Sequence, residues 1–153
     1  AIYEYALEMN IDIDYAITNN ARATLNAGDL TYSDLFKAVP FDNVVYVIQT
    51  KGKYIRNKLN YFYIYRADTE PLNDNKDYKV AVIDYLALHR GTNRTYNYFN
   101  EFTEICRLTK EGYDIYNYRE ITADYIRKHQ QINVSDYSGN LDRHNKNKIS
   151  SAI

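Results

Sequence analysis

Three short segments combine residue types and placement that could do chemistry. Thr18-Asn19-Asn20-Ala21-Arg22 is a polar turn after an apolar run. It presents amide groups and a guanidinium able to fork onto a phosphate or carboxylate. A plain surface arginine in a loop is the other reading of this stretch. Pro40-Phe41-Asp42-Asn43 sets a phenylalanine just after a proline. Such a ring is either a core plug, the commoner outcome for phenylalanine, or an exposed platform for a planar ligand. Asp84-Tyr85 closes the most strand-like run in the chain and leads into a polar loop, a common position for binding residues. A tyrosine there serves packing more often than recognition.

Other chemistries lack their residues. Cys106 is the only cysteine, which rules out an internal disulfide and a cysteine metal site and leaves a small core hydrophobe. The 3 histidines, His89, His129 and His144, are scattered, with no H-x-H or H-E-x-x-H pattern. A catalytic metal centre built from this chain alone is therefore not expected. The net charge of −1 gives no electrostatic claim on nucleic acid or an anionic membrane. No apolar run approaches the roughly 18 residues of a membrane span. The opening residues AIYEYALEMN alternate and carry charge, unlike a signal peptide. The chain has 18 tyrosines and no tryptophan, and most of those rings are read as half-buried packing.

The elements that must hold these segments follow from periodicity. The 153 residues suffice for one domain with a real core, and no linker or repeat divides them. Ile2, Tyr5, Ala6 and Met9 fall at helical spacing, and residues 11–18 alternate like a strand. Thr31-Tyr32-Ser33-Asp34 has the form of a capping box, and Pro40 marks the end of that helix. Residues 44–50 form a β-branched strand broken by Gly52, and a short helix is expected over 54–59. Strands are expected at 60–66, 79–87 and 132–139. Phe99, Phe102 and Cys106 share a helical face, as do Tyr118, Ile121 and Tyr125. The mixture lacks a regular βαβ alternation and predicts an α+β fold with a mixed β-sheet packed by helices.

The order of these motifs resembles the C-terminal, substrate-binding domain of the 5′-nucleotidase family, which includes UDP-sugar hydrolases and 2′,3′-cyclic nucleotide phosphodiesterases. AITNNARATLNAGDLTYSDLFKAVPFDNVVYVIQTKGKYI is similar to the family stretch running from a strand through N-G-G-G-I-R to "DITYGDLFEVLPFGN" and a second strand. YKVAVIDYLA is similar to "YKVATNDFLA", and REITADYIRKH to the family's closing helix. The match spans residues 1–143, leaving 144–153 as a polar tail, and is most specific from Leu30 to Asn43.

The resemblance implies a nucleotide or nucleoside sandwiched between Phe41 and Tyr85. Asn43 would face the base edge, and Asn19 and Arg22 the phosphate or ribose end. It implies no cofactor in this chain. Two divalent ions, zinc or manganese, would sit in an N-terminal metallophosphoesterase domain of the same protein, so the chain alone should be inactive. The parent would be a hydrolase of nucleotide catabolism, periplasmic, extracellular or at the cell surface, with neither nucleic acid nor membrane insertion involved. The chain departs from the pattern at two loops. N-N-A-R is two residues shorter than its family counterpart and lacks glycine, which reshapes the backbone there. HRGTNRTYNYF stands where the family has G-G-D-G-Y, leaving Asn93 or Arg90 to replace the ribose-binding aspartate. A binding or surface-interaction module that keeps the fold without the nucleotide site is the competing expectation.

Overall fold

The computed structural model describes residues 1–19, 21–56, 62–66, 70–87, 99 and 101–133. The elements run α1 (Ile2–Glu8), β1 (Tyr15–Thr18), α2 (Tyr32–Ala38), β2 (Val45–Lys51), α3 (Gly52–Arg56), β3 (Tyr63–Arg66), β4 (Asp77–Ile83), α4 (Asp84–Ala87), β5 (Thr103–Arg107) and α5 (Tyr118–His129). A five-stranded sheet has the order β3-β1-β4-β2-β5. β1 and β4 are parallel, and the other pairings are antiparallel. One mixed sheet packed by helices is the expected α+β architecture.

β4 is the central strand because its sequence tolerates cover on both faces: Val80, Ala81, Val82 and Ile83 are all buried. β2 pairs with it along its full length, from Val45↔Ile83 to Lys51↔Asp77. Ile17, Val47, Ile48, Ile55, Ile64, Leu86 and Ile121 join the same core. At about 1.5–3 kcal/mol for each fully buried aliphatic side chain, this cluster is the main support of the fold. Gly52 turns the chain straight from β2 into α3. A Cβ there would lie 2.0 Å from the Asn73 carbonyl oxygen, so no larger residue fits without moving backbone.

α2 begins as its sequence dictates. Thr31 accepts from the Asp34 amide while the Asp34 carboxylate accepts from the Thr31 amide, closing the capping box. α5 starts at Asn117, whose side chain accepts from the Glu120 amide, and stops at Gln130 in the left-handed region with φ 62°.

Two expectations are corrected. Phe102 and Cys106 lie not on a helix but on or beside β5. Their spacing of four fits a helical turn, but in β5 a bulge at Ile105 interrupts the alternation between them. Both pack against the core, whereas Ile105, between Glu104 and Cys106, is exposed. The register slips past Ile105 as a bulge, a common device on an edge strand. The run at 79–87 is a strand only as far as Ile83, and Asp84–Ala87 turn into α4. The strand expected over 11–18 begins at Tyr15, and the helix expected over 54–59 is seen at Gly52–Arg56. Most of the strand expected at 132–139, the tail 144–153, and the loop holding Arg90 and Asn93 lie outside the described residues.

Candidate functional site

Sheet topology decides which candidate residues meet. β1 and β4 are parallel, so both finish at the same end of the sheet, while antiparallel β2 begins there with Val45 opposite Ile83. The segments just beyond these points carry Asn19, Phe41, Asn43 and Tyr85. The Asp84 amide donates to the Val44 carbonyl at 2.8 Å, joining the turn of α4 to the loop that enters β2. The Asp84 carboxylate then accepts from the Tyr85 amide at 2.8 Å and fixes the start of α4.

Arg22 reaches the same region by a different route. Its amide donates to the Ala38 carbonyl at 2.8 Å, and its guanidinium carbon lies 5.3 Å from the centre of the Phe41 ring. That is within cation–π range. Phe41 is 53% exposed and Tyr85 40%, so neither ring is a core plug. Asn43 is half-buried and its carbonyl accepts from the Tyr118 amide at 2.6 Å. Among the described residues, no hydrogen bond engages its side-chain amide. Asn19 is half-buried just past β1, and its neighbour Asn20 lies outside the described residues.

Sequence reasoning missed Arg119. Only 6% exposed, this arginine stands in the first turn of α5 and faces the Pro40–Phe41 loop. Nη2 donates to Asp42 Oδ1 at 2.7 Å, Nη1 to the Val39 carbonyl at 3.1 Å, and Nε to the Tyr32 hydroxyl at 3.0 Å. The Phe36 ring covers its guanidinium carbon at 4.5 Å. Burial works against the charge, but the bonds to Tyr32 and Asp42 outweigh it and hold the guanidinium's pKa above its ordinary value. One sequence signal pointed this way. A cation near a helix N-terminus opposes the helix dipole, so it needs a compensating partner.

Two concavities lie elsewhere. One of about 300 Å³ lies between α1 and α5, lined by Glu4, Lys110, Tyr116, Asp124 and Lys128 among others. Another of about 420 Å³ adjoins Arg56 and residues 71–74. None of the five candidate residues lines either. At the candidate site the Phe41 and Tyr85 rings are partly exposed beside polar groups. Burial pushes the Cys106 thiol above its ordinary pKa, away from the thiolate a nucleophile needs. Among the described residues, no cluster of three or more His, Cys, Asp and Glu could hold a metal ion. His129 instead places Nε2 2.9 Å from Glu4.

Comparison with known proteins bears on this architecture. Residues 2–69 match the family model of the 5′-nucleotidase C-terminal domain, which takes in β1, α2, the Pro40–Phe41 loop and β2. The structure superposes on the 5′-nucleotidase precursor of Thermus thermophilus with a TM-score of 0.59 at 15% identity, over 86% of this chain and 31% of that one. The chain has the fold of a 5′-nucleotidase C-terminal domain. A Staphylococcus aureus protein described as a 5′-nucleotidase, in complex with α-ketoglutarate, matches with a TM-score of 0.57 at 15% identity, covering 80% of this chain and 32% of that one. No curated protein matches the chain by sequence. The chain thus spans about a third of the length of these two proteins. No helix among the described residues is long and apolar enough to cross a membrane.

Proposed function

We propose that this domain, taken as residues 1–143, binds the nucleoside part of a nucleotide for a metal-dependent 5′-nucleotidase-type phosphoesterase. The observation that carries the reading is the half-exposed Phe41 ring, set with Arg22 and Tyr85 at one end of the sheet. An aromatic face held in solvent at a loop suits stacking on a planar base, and a neighbouring guanidinium suits the anionic end of the same ligand. Phe41 and Tyr85 would bracket the base, with the Asn43 amide toward its edge and Asn19 and Arg22 toward ribose or phosphate. Hydrolysis is assigned to divalent ions on a metallophosphoesterase domain outside this chain, in a protein working outside the cytoplasm. The domain's own contribution is to bind and orient the substrate.

The test is an NMR titration of the 153-residue chain with adenosine and AMP. Localised shifts at residues 41–43 and 84–86 support the reading, and their absence overturns it. A second reading, an interaction module without a nucleotide site, is favoured by one observation. The Arg22 guanidinium already lies over the Phe41 ring, 5.3 Å from its centre, where a base would have to displace it or use the opposite face.

A further inference from the structure

We propose that Arg119 is a positioning residue that holds Phe41 in place from behind, an inference that rests on reading Phe41 as a stacking platform. The two ring-side contacts of its guanidinium fall on either side of Pro40–Phe41: the Val39 carbonyl before the pair and the Asp42 carboxylate after it. One rigid planar group therefore spans the loop at both anchors. Pro40 fixes its own φ, which leaves few torsions free between those anchors. The third donor engages Tyr32, whose hydroxyl lies 2.5 Å from Glu120 Oε1, tying the start of α2 to α5 behind the loop.

The contrast in exposure gives this arrangement its functional sense. Phe41 is 53% exposed and gains little order from packing, while Arg119 is 6% exposed and packed under Phe36. A solvent-facing ring that had to be ordered on binding would lose part of its stacking energy to that ordering. A brace on both flanking residues removes the loss beforehand. Arg119 touches the loop and not the ligand, so it acts through Phe41.

Asp42 gives the cleanest test, because its side chain is 72% exposed and its removal opens no cavity. Three variants are compared with the wild type: Asp42→Ala, Asp42→Asn, which keeps an oxygen acceptor, and Arg119→Lys, which keeps the charge but not the fork. The first readout needs no ligand: NMR relaxation of the Phe41 backbone and ring, with the Arg22 δ-proton shifts that report the ring's position. The second is adenosine affinity. Asp42→Ala and Arg119→Lys are expected to loosen Phe41 and weaken adenosine about three- to tenfold, whereas Asp42→Asn stays within about twofold of wild type. Unchanged Phe41 order in Asp42→Ala overturns the proposal, as does an affinity loss in Asp42→Asn equal to that in Asp42→Ala. If Asp42→Ala mobilises Phe41 but the wild type shows no adenosine response, the brace stands and the nucleoside reading falls.

Discussion

The two ends of α5 handle polar groups in opposite ways. At its start, Arg119 donates to Val39 and Asp42 in the loop before β2 and to Tyr32 at the start of α2, and in front of that loop Phe41 and Tyr85 are partly exposed. Farther along, the carboxylate of Asp124 accepts from Lys110 at 2.8 Å, Tyr116 at 2.5 Å and Arg127 at 3.1 Å. Lys128 pairs with Glu8 at 2.7 Å, and His129 with Glu4 at 2.9 Å, so the C-terminal turns are tied to α1. The second region lines a cavity of about 300 Å³, yet its acids and bases already satisfy one another. In the first, Phe41 and Tyr85 are partly exposed, and among the described residues no hydrogen bond engages the Asn43 side-chain amide. A concave surface with its bonds used up is a joint, whereas a surface with exposed rings suits a planar ligand.

That contrast breaks most readily at the joint. Asp124→Ala would strand Lys110 and Tyr116 and is expected to cost about 2–3 kcal/mol of unfolding free energy in urea titrations, with adenosine affinity unchanged. A parallel loss of binding would mean that the two ends of α5 are not independent. Next comes the front of the loop. Arg22→Ala should weaken AMP by about 1.5–3 kcal/mol and leave adenosine nearly untouched, as measured by competition or NMR titration. Equal losses for both ligands would move Arg22 from the phosphate to the base or ribose.

Smaller than either is the effect of the capping box of α2. Thr31→Ala should lower stability by about 1 kcal/mol, and the change in urea midpoint checks it. The smallest effect is one of pH. Burial raises the Asp124 pKa, but the bonds from Lys110 and Tyr116 outweigh it and hold the carboxyl below its ordinary value. A depressed folded-state pKa gives stability that is complete above the unfolded pKa and fades as pH falls through the folded one. Asp124→Asn should therefore flatten the acid limb of the stability profile below about pH 4 and leave its shape near neutrality unchanged.

What the sequence made legible was mostly local. The capping box at Thr31 and Asp34 needs only four residues, and the structure has both of its bonds. The apolar run at Val80–Ile83 marks a central strand because burial on both faces demands it. The helix expected at β5 rested on the helical spacing of Phe99, Phe102 and Cys106, and the bulge at Ile105 hides the strand's own alternation from the sequence. Beyond its unfavourable place at a helix N-terminus, Arg119 gave no sign of its role, for a different reason. Its partners Tyr32, Val39 and Asp42 are distant in sequence, and no spacing rule connects them. The candidate segments stood out by residue type, and their roles came from resemblance. Their common location needed the parallel pairing of β1 with β4, which no single segment encodes.

The central claim is that Phe41 and Tyr85 are two faces of one base clamp. Titrating adenosine into wild type, Phe41→Ala and Tyr85→Ala by NMR tests it most directly, with circular dichroism to confirm that each variant is folded. Losing either ring should weaken binding by roughly five- to a hundredfold, from about 1–3 kcal/mol of stacking per base. The double variant should lose less than the sum, because a base held on one face is already mobile. Wild-type shifts confined to residues 41–43 and 84–86, abolished in both variants, are the predicted result. Shifts absent from those residues, or an unchanged affinity when either ring is removed, would contradict the clamp.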